Sequence, residues 1–156
     1  MQSEAGVNPW WAAMTGWGVV NVVNVLQAAG FLSRVHTGTM DVNRGLGYLM
    51  IALAIPAIAA LAAFVRTDAG WFHWIGPAVF VAFIILMVVV DYARPVEFRS
   101  PMRYDIVVPY LTLFFGSILL MGLPMYTMSR SLWLVTVVTT MLLLGSMGLA
   151  MLKGVG

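Results

Sequence analysis

Three amide side chains in the first apolar segment are the residues best suited to recognition inside this chain. Asn21, Asn24 and Gln27 follow one another at three-residue intervals, and Arg34 lies seven residues beyond Gln27. Three helical positions rotate the chain by about 300°, so the amides drift over an arc of roughly 120°. Amides in hydrocarbon need partners. The stripe therefore predicts hydrogen bonds to neighbouring helices, with a polar ligand or permeation site as the alternative.

The segment from residue 91 to residue 105, DYARPVEFRSPMRYD, is the second candidate site, and it holds six of the fourteen charged residues (eight basic, six acidic). Pro95 and Pro101 block a continuous helix, which predicts an extended or turning connection. We expect a solvated cap that fixes topology. The alternative is a site for an anionic headgroup or phosphate, because arginine presents a bidentate fork to such groups. The first loop lies on the same predicted face and adds Arg34, His36, Asp41 and Arg44. The charged residues of the segment itself are Asp91, Arg94, Glu97, Arg99, Arg103 and Asp105.

Histidine and methionine patterns do not predict catalysis or a metal centre. His36 and His73 fall on opposite sides of the predicted membrane, so they cannot share one haem or metal ion. Met121, Met125 and Met128 recur at helical spacing, and thioether sulfur suits Cu(I). The chain has no cysteine, and the sequence places no histidine beside these methionines, so packing is their expected role. We expect no cofactor, no metal and no catalytic residue. The candidate ligand-binding residues are Asn21, Asn24, Gln27, Arg34, Asp91, Arg94, Arg99 and Arg103.

The composition explains why these polar residues stand out. Of 156 residues, 62% are hydrophobic and only 9% are charged, whereas a soluble domain carries about 25% charged residues. This composition excludes a soluble globular enzyme and a disordered chain. The net charge of +2 offers no basic patch for a run of phosphates, so we expect no nucleic-acid partner.

Five apolar segments must position the candidate residues. Each is near the roughly 20 residues that a helix needs to cross a bilayer. The sequence therefore predicts an all-α integral membrane protein, with residues 1–156 forming a single bundle of five transmembrane helices. Pro56 should kink the second helix near its centre. The predicted spans are about 10–33, 45–65, 73–91, 106–127 and 132–152.

The basic residues predict the orientation. Only Arg66 and Arg130 lie on the side that holds the N-terminus, and the other six lie on the opposite side. The positive-inside rule then places the N-terminus outside and the C-terminus in the cytoplasm. All six tryptophans fall near the predicted outer interface, as an aromatic belt would. We expect a multi-pass protein of a bacterial-type plasma membrane.

Three functions remain open on these residues. Tiny loops and the lack of a catalytic constellation favour a non-catalytic subunit or interaction protein, in a homo-oligomer or with other membrane subunits. The first alternative is a small carrier, channel or ligand-binding protein that uses the polar stripe of the first span. The second is a lipid-modifying enzyme at the cytoplasmic face, so an enzyme is disfavoured but left open. Membrane lipids are partners under all three.

Overall fold

Helices account for nearly all of the computed structural model, which describes residues 9–39, 41–94, 96 and 103–155. No strand occurs within these residues. Glu97 and Arg99 lie outside the described residues. The helices are α1 (Trp10–Thr37), α2 (Asp41–Ala52), α3 (Ala54–Arg66), α4 (Trp71–Met87), α5 (Tyr104–Met128) and α6 (Arg130–Leu152), and a π-helical segment (Val88–Ala93) continues α4.

Five helical units in the described chain are long and apolar enough to cross a membrane, which confirms the predicted helical class and the number of candidate spans. All five extend beyond the predicted segments at one end or both, because a helix continues its hydrogen bonds into polar turns that hydropathy does not detect. The five units are Trp10–Thr37, Val42–Arg66, Trp71–Ala93, Tyr104–Met128 and Arg130–Leu152.

The second unit is broken near its centre, as Pro56 predicts. The helix α2 ends at Ala52, and α3 begins at Ala54. Proline has no N–H to donate to the carbonyl four residues earlier, which is that of Ala52. At the break, the Leu53 N–H is shared between the carbonyl oxygens of Leu49 (3.1 Å) and Met50 (3.2 Å). The interruption at Leu53 therefore lies within the apolar part of the unit.

The helix α1 is the centre of the arrangement, because it packs against α2, α3, α5 and α6, while α4 packs against α3 and α5. The units alternate in direction. We call the end where α1, α4 and α6 begin the N-terminal end of the bundle, and the end where they finish the C-terminal end. The interior between α1, α4 and α5 is aromatic and aliphatic, with Val20, Val23, Phe80 and Phe83 almost fully buried.

The helices α4 and α5 approach each other closely at Gly76. A Cβ atom at this position would lie 2.8 Å from the backbone carbon of Leu120 and 2.8 Å from the backbone nitrogen of Met121. Real Cβ contacts are essentially never this short. The absence of a side chain at Gly76 is therefore what lets the two backbones touch.

Candidate functional site

The two amides nearest the middle of α1 are bonded to threonines of α6. Asn24 has no exposed surface, and its Nδ2 donates to the hydroxyl oxygens of Thr139 (3.1 Å) and Thr140 (3.0 Å). Nearer the N-terminal end, the indole N–H of Trp17 donates to the carbonyl oxygen of Leu132 at 2.9 Å. We call this line of contacts the α1–α6 seam. It joins the first and last helices of the chain.

The hydrogen bonds of the seam form a directed chain. The Thr139 hydroxyl, which accepts from Asn24, donates to Oδ1 of Asn21 at 2.8 Å. The Nδ2 of Asn21 donates in turn to the Thr136 hydroxyl (3.2 Å) and to the carbonyl oxygen of Trp17 (2.8 Å). Both amide nitrogens are therefore fully used by protein acceptors. The Oδ1 of Asn24 differs, since it is buried and has no hydrogen-bond partner among the described residues.

The threonine partners of the amides were not predicted from the sequence. Thr136, Thr139 and Thr140 lie at i, i+3 and i+4 in the last span, so they share one helix face. That spacing was a readable signal for a polar face, but nothing in it identified α1 as the helix opposite. Gln27 does not join the seam, because its Nε2 contacts the sulfur of Met50 in α2 at 2.6 Å.

Arg34 lies at the C-terminal end and is buried, with 7% of its surface exposed. Its guanidinium carbon lies 4.7 Å from the centre of the Phe31 ring. The groups around Asn43 assign the orientation of its amide, because only one orientation satisfies them. In that orientation its nitrogen donates to the Gly30 carbonyl oxygen (2.9 Å), and its oxygen accepts from Nη2 (2.7 Å) and Nε (3.0 Å) of Arg34. A Cβ at Gly30 would collide with this amide. The missing side chain at Gly30 thus makes room for the contact between α1 and α2.

Asp91 occupies the π-helical segment, a type of turn that is rare and often marks a functional position. Its Oδ2 accepts a hydrogen bond from the Tyr110 hydroxyl of α5 at 3.0 Å. The next residue, Tyr92, donates its hydroxyl to the Arg44 carbonyl oxygen (3.1 Å) and packs closely against Gly47. The widened turn therefore connects α4 to α5 through one side chain and to α2 through the other.

Two of the remaining arginines of the candidate set, Arg94 and Arg103, are exposed. Arg103 donates from Nη2 to Oδ2 of Asp105 at 2.8 Å, in an exposed ion pair. Such pairs contribute only about 0–1 kcal/mol. Arg94 is exposed, and Arg99 lies outside the described residues. The ring nitrogen Nδ1 of His36 lies 2.8 Å from the Leu32 carbonyl oxygen of its own helix. No catalytic arrangement is formed by these described groups.

A second cluster lies at the N-terminal end, where α4 begins and α5 finishes. His73, Met121 and Met125 line the same cavity of about 10 Å³. The Nδ1 atom of His73 is buried and has no hydrogen-bond partner. The sequence offered a weak signal for this juxtaposition: His73 opens the third predicted span, and the methionines close the fourth, so antiparallel packing brings them to one end. Which helices are neighbours is a property of the tertiary structure.

The chain matches no known protein family, no curated protein and no solved structure. Across the described residues, no group of three or more His, Cys, Asp or Glu side chains could hold a metal ion. The chemical resources of the bundle are therefore the amide–hydroxyl seam, the arginine–amide contact at the C-terminal end and the imidazole–thioether cluster at the N-terminal end.

Proposed function

We propose that this protein is a multi-pass, non-catalytic membrane protein that acts by assembling laterally with a second copy or with other membrane subunits. The observation that carries the proposal is the pairing of the first-span amides. The amide nitrogens of Asn21 and Asn24 donate to threonine hydroxyls of α6. Amides used in this way hold helices together, which is the role expected of a structural bundle.

The outer face of α6 supports an assembly role. Gly145 and Gly148 lie on the side of α6 away from the seam, and a Cβ atom at either position would meet nothing within 4 Å. By contrast, Ser146 and Ala150 on the same helix are buried inside the bundle. Small residues let helices approach closely in lipid, where van der Waals packing drives association. These two glycines provide that geometry for a neighbouring chain.

Association is testable with glycine variants that do not disturb the chain itself. Two differently tagged copies are co-expressed in a native-type membrane and recovered through one tag, and each sample is also searched by mass spectrometry for other membrane proteins in fixed ratio. We expect Gly145→Leu/Gly148→Leu to reduce recovery of the second copy or partner at least fivefold. The matched control is Gly18→Leu on α1, because a Cβ at Gly18 also meets nothing within 4 Å.

Recovery of the bare monomer, with neither copy nor partner retained from the wild-type membrane, would contradict the proposal. Equal losses for the α6 variant and for Gly18→Leu would show that bulk in a span, rather than a particular face, causes the effect. Folding of each variant is checked by its thermal unfolding in the same detergent.

The proposed orientation has the N-terminus outside and the C-terminus in the cytoplasm of a bacterial-type plasma membrane. Its basis is the six-to-two bias of basic residues. Because the chain has no cysteine, single cysteines report without background. Ser131 and Lys153 are exposed at opposite ends of α6. We expect Ser131→Cys, and not Lys153→Cys, to react with an impermeant maleimide in intact cells. The reverse labelling pattern would invert the topology.

Ligand binding by the first span is the second candidate function, and one observation favours it. The Oδ1 atom of Asn24 is a buried acceptor with no donor. A buried polar atom without a partner is costly, so a polar ligand that donates to it would bind favourably there. The Asn24 variants described in the Discussion separate this function from a structural role.

A further inference from the structure

The cavity at the N-terminal end is walled by four helices. The helix α1 contributes Gly16, α3 contributes Phe64, α4 contributes His73, and α5 contributes Met121 and Met125. Its volume of about 10 Å³ is close to the minimum that holds one water-sized occupant. Apart from the imidazole and the two thioethers, its side chains are hydrocarbon. Any occupant therefore meets three heteroatom-bearing side chains in an apolar enclosure.

His73 supplies an imidazole whose Nδ1 atom makes no hydrogen bond within the described protein. Nδ1 is buried and without a hydrogen-bond partner, although buried polar atoms in native proteins are almost always paired. The ring is held in place by aromatic neighbours, with centroid distances of 5.8 Å to Phe64 and 6.1 Å to Phe72. The ring is thus held in position while its Nδ1 atom has no hydrogen-bond partner among the described residues. This is the state expected of a group that coordinates a ligand.

The methionines add two soft donors. Met121 and Met125 lie four residues apart, so they occupy one face of α5, and their exposed fractions are 5% and 1%. A thioether sulfur is neutral and polarizable, and it is only a weak hydrogen-bond acceptor. The cavity therefore combines one nitrogen and two sulfur donors, with no carboxylate among its lining residues.

This donor set discriminates among metal ions. Thioether ligands select Cu(I), whereas Mg²⁺, Ca²⁺ and Mn²⁺ prefer carboxylate, carbonyl and water oxygens. The apolar walls also favour Cu(I). Burying a charge in a hydrocarbon environment is costly, and a monovalent ion carries less charge than a divalent one. An imidazole alone also suits Zn²⁺ and Cu(II), but the two sulfurs and the lack of a compensating anion favour the softer, singly charged ion.

We propose that His73, Met121 and Met125 form a binding site for one Cu(I) ion at the N-terminal end of the bundle. The proposal does not depend on lateral assembly, since every donor comes from one chain. The sequence placed no histidine beside these methionines, so packing was their expected role. The tertiary structure brings His73 to the same cavity. Binding is a coordination event only, with no change in oxidation state.

The test uses the purified full-length protein in detergent, under anaerobic conditions, with Cu(I) supplied from a coloured bathocuproine complex. We expect one Cu(I) per chain. Met121→Leu and Met125→Leu should each weaken Cu(I) binding at least tenfold, because leucine conserves volume and removes the sulfur. His73→Leu should do the same. The matched control is Met128→Leu, since Met128 lies on α5 but does not line the cavity, and its affinity should stay within twofold of wild type.

Two further readouts keep the result decisive. X-ray absorption at the copper edge should show nitrogen and sulfur ligands in the wild type and lose the sulfur signal in Met121→Leu/Met125→Leu. Thermal unfolding without copper should be similar for the leucine variants and the control, so that weaker binding is not misfolding. Absence of stoichiometric Cu(I), equal affinity in the double variant, or a sulfur-free copper spectrum would each overturn the proposal. Tighter binding of Zn²⁺ that depends on His73 but not on the methionines would overturn the choice of metal.

Discussion

Gly76→Ala should lower the free energy of unfolding by about 1–3 kcal/mol, the usual cost of forcing an extra methyl group into a packed interior. The new Cβ would lie 2.8 Å from two backbone atoms of α5, at Leu120 and Met121. Backbone atoms cannot rotate aside as the end of a flexible side chain can. The two helices must therefore separate or slide, which loosens the contact between α4 and α5 along its length.

The measurement is reversible unfolding in mixed micelles, compared with Gly116→Ala as the control. Gly116 belongs to the same pair of helices, and a Cβ there would meet only Val79 Cγ1 at 3.9 Å, an ordinary contact. Alanine is also the better helix former by up to about 1 kcal/mol, so Gly116→Ala should be neutral or stabilising. If both variants unfold at the same denaturant concentration as the wild type, the backbone contact at Gly76 is not as close as described.

Asn24→Leu should lower the free energy of unfolding by about 0.6–2 kcal/mol, the range for interhelical polar contacts in membranes. Leucine has a similar branched shape, but it removes the two hydrogen bonds to Thr139 and Thr140. It also leaves both hydroxyls without the donor they now accept from. The loss stays modest because the same change removes the unpaired Oδ1 of Asn24, whose burial already costs free energy.

A double-mutant cycle with Thr140→Val isolates the contact itself. If the bond between Asn24 and Thr140 stabilises the seam, the sum of the unfolding free energies lost in the two single variants should exceed the free energy lost in the double variant. Thr15→Val is the control, because within the described part of the chain the Thr15 hydroxyl bonds to the Trp11 carbonyl oxygen of its own helix and not to another helix. Unchanged stability in Asn24→Leu, together with loss of a bound polar molecule detected by native mass spectrometry, would instead favour the ligand-binding function.

Several features of the fold could be predicted from the sequence because they are local. The five spans follow from runs of apolar residues that lipid would require, and the structure confirms five such helices. The break near Pro56 follows from a missing N–H, which acts four residues away and nowhere else. Its confirmation at Leu53 needed no knowledge of the neighbouring helices. The orientation is also a local inference from charge, and it stays a prediction.

The partners of the polar residues were decided only by the tertiary structure. Asn24 and Thr140 are separated by 116 residues, and any helix face could in principle have met the amide stripe. In a water-soluble protein, apolar periodicity identifies the buried face of a helix. It does so less clearly for a helix in lipid, because the lipid-facing and protein-facing surfaces are both hydrophobic. The sequence could therefore predict that Asn21 and Asn24 need partners, and not which helix supplies them.

The same limit applied to the cluster at the N-terminal end. His73 and Met125 are too far apart in sequence for helical spacing to relate them, so the methionines alone predicted packing. Their meeting depends on α4 and α5 being antiparallel neighbours, whose backbones come into contact where Gly76 has no side chain. Local chemistry determined which side chains could bind a ligand. Helix packing decided which of those side chains lie together, because only packing brings residues from separate spans to one cavity.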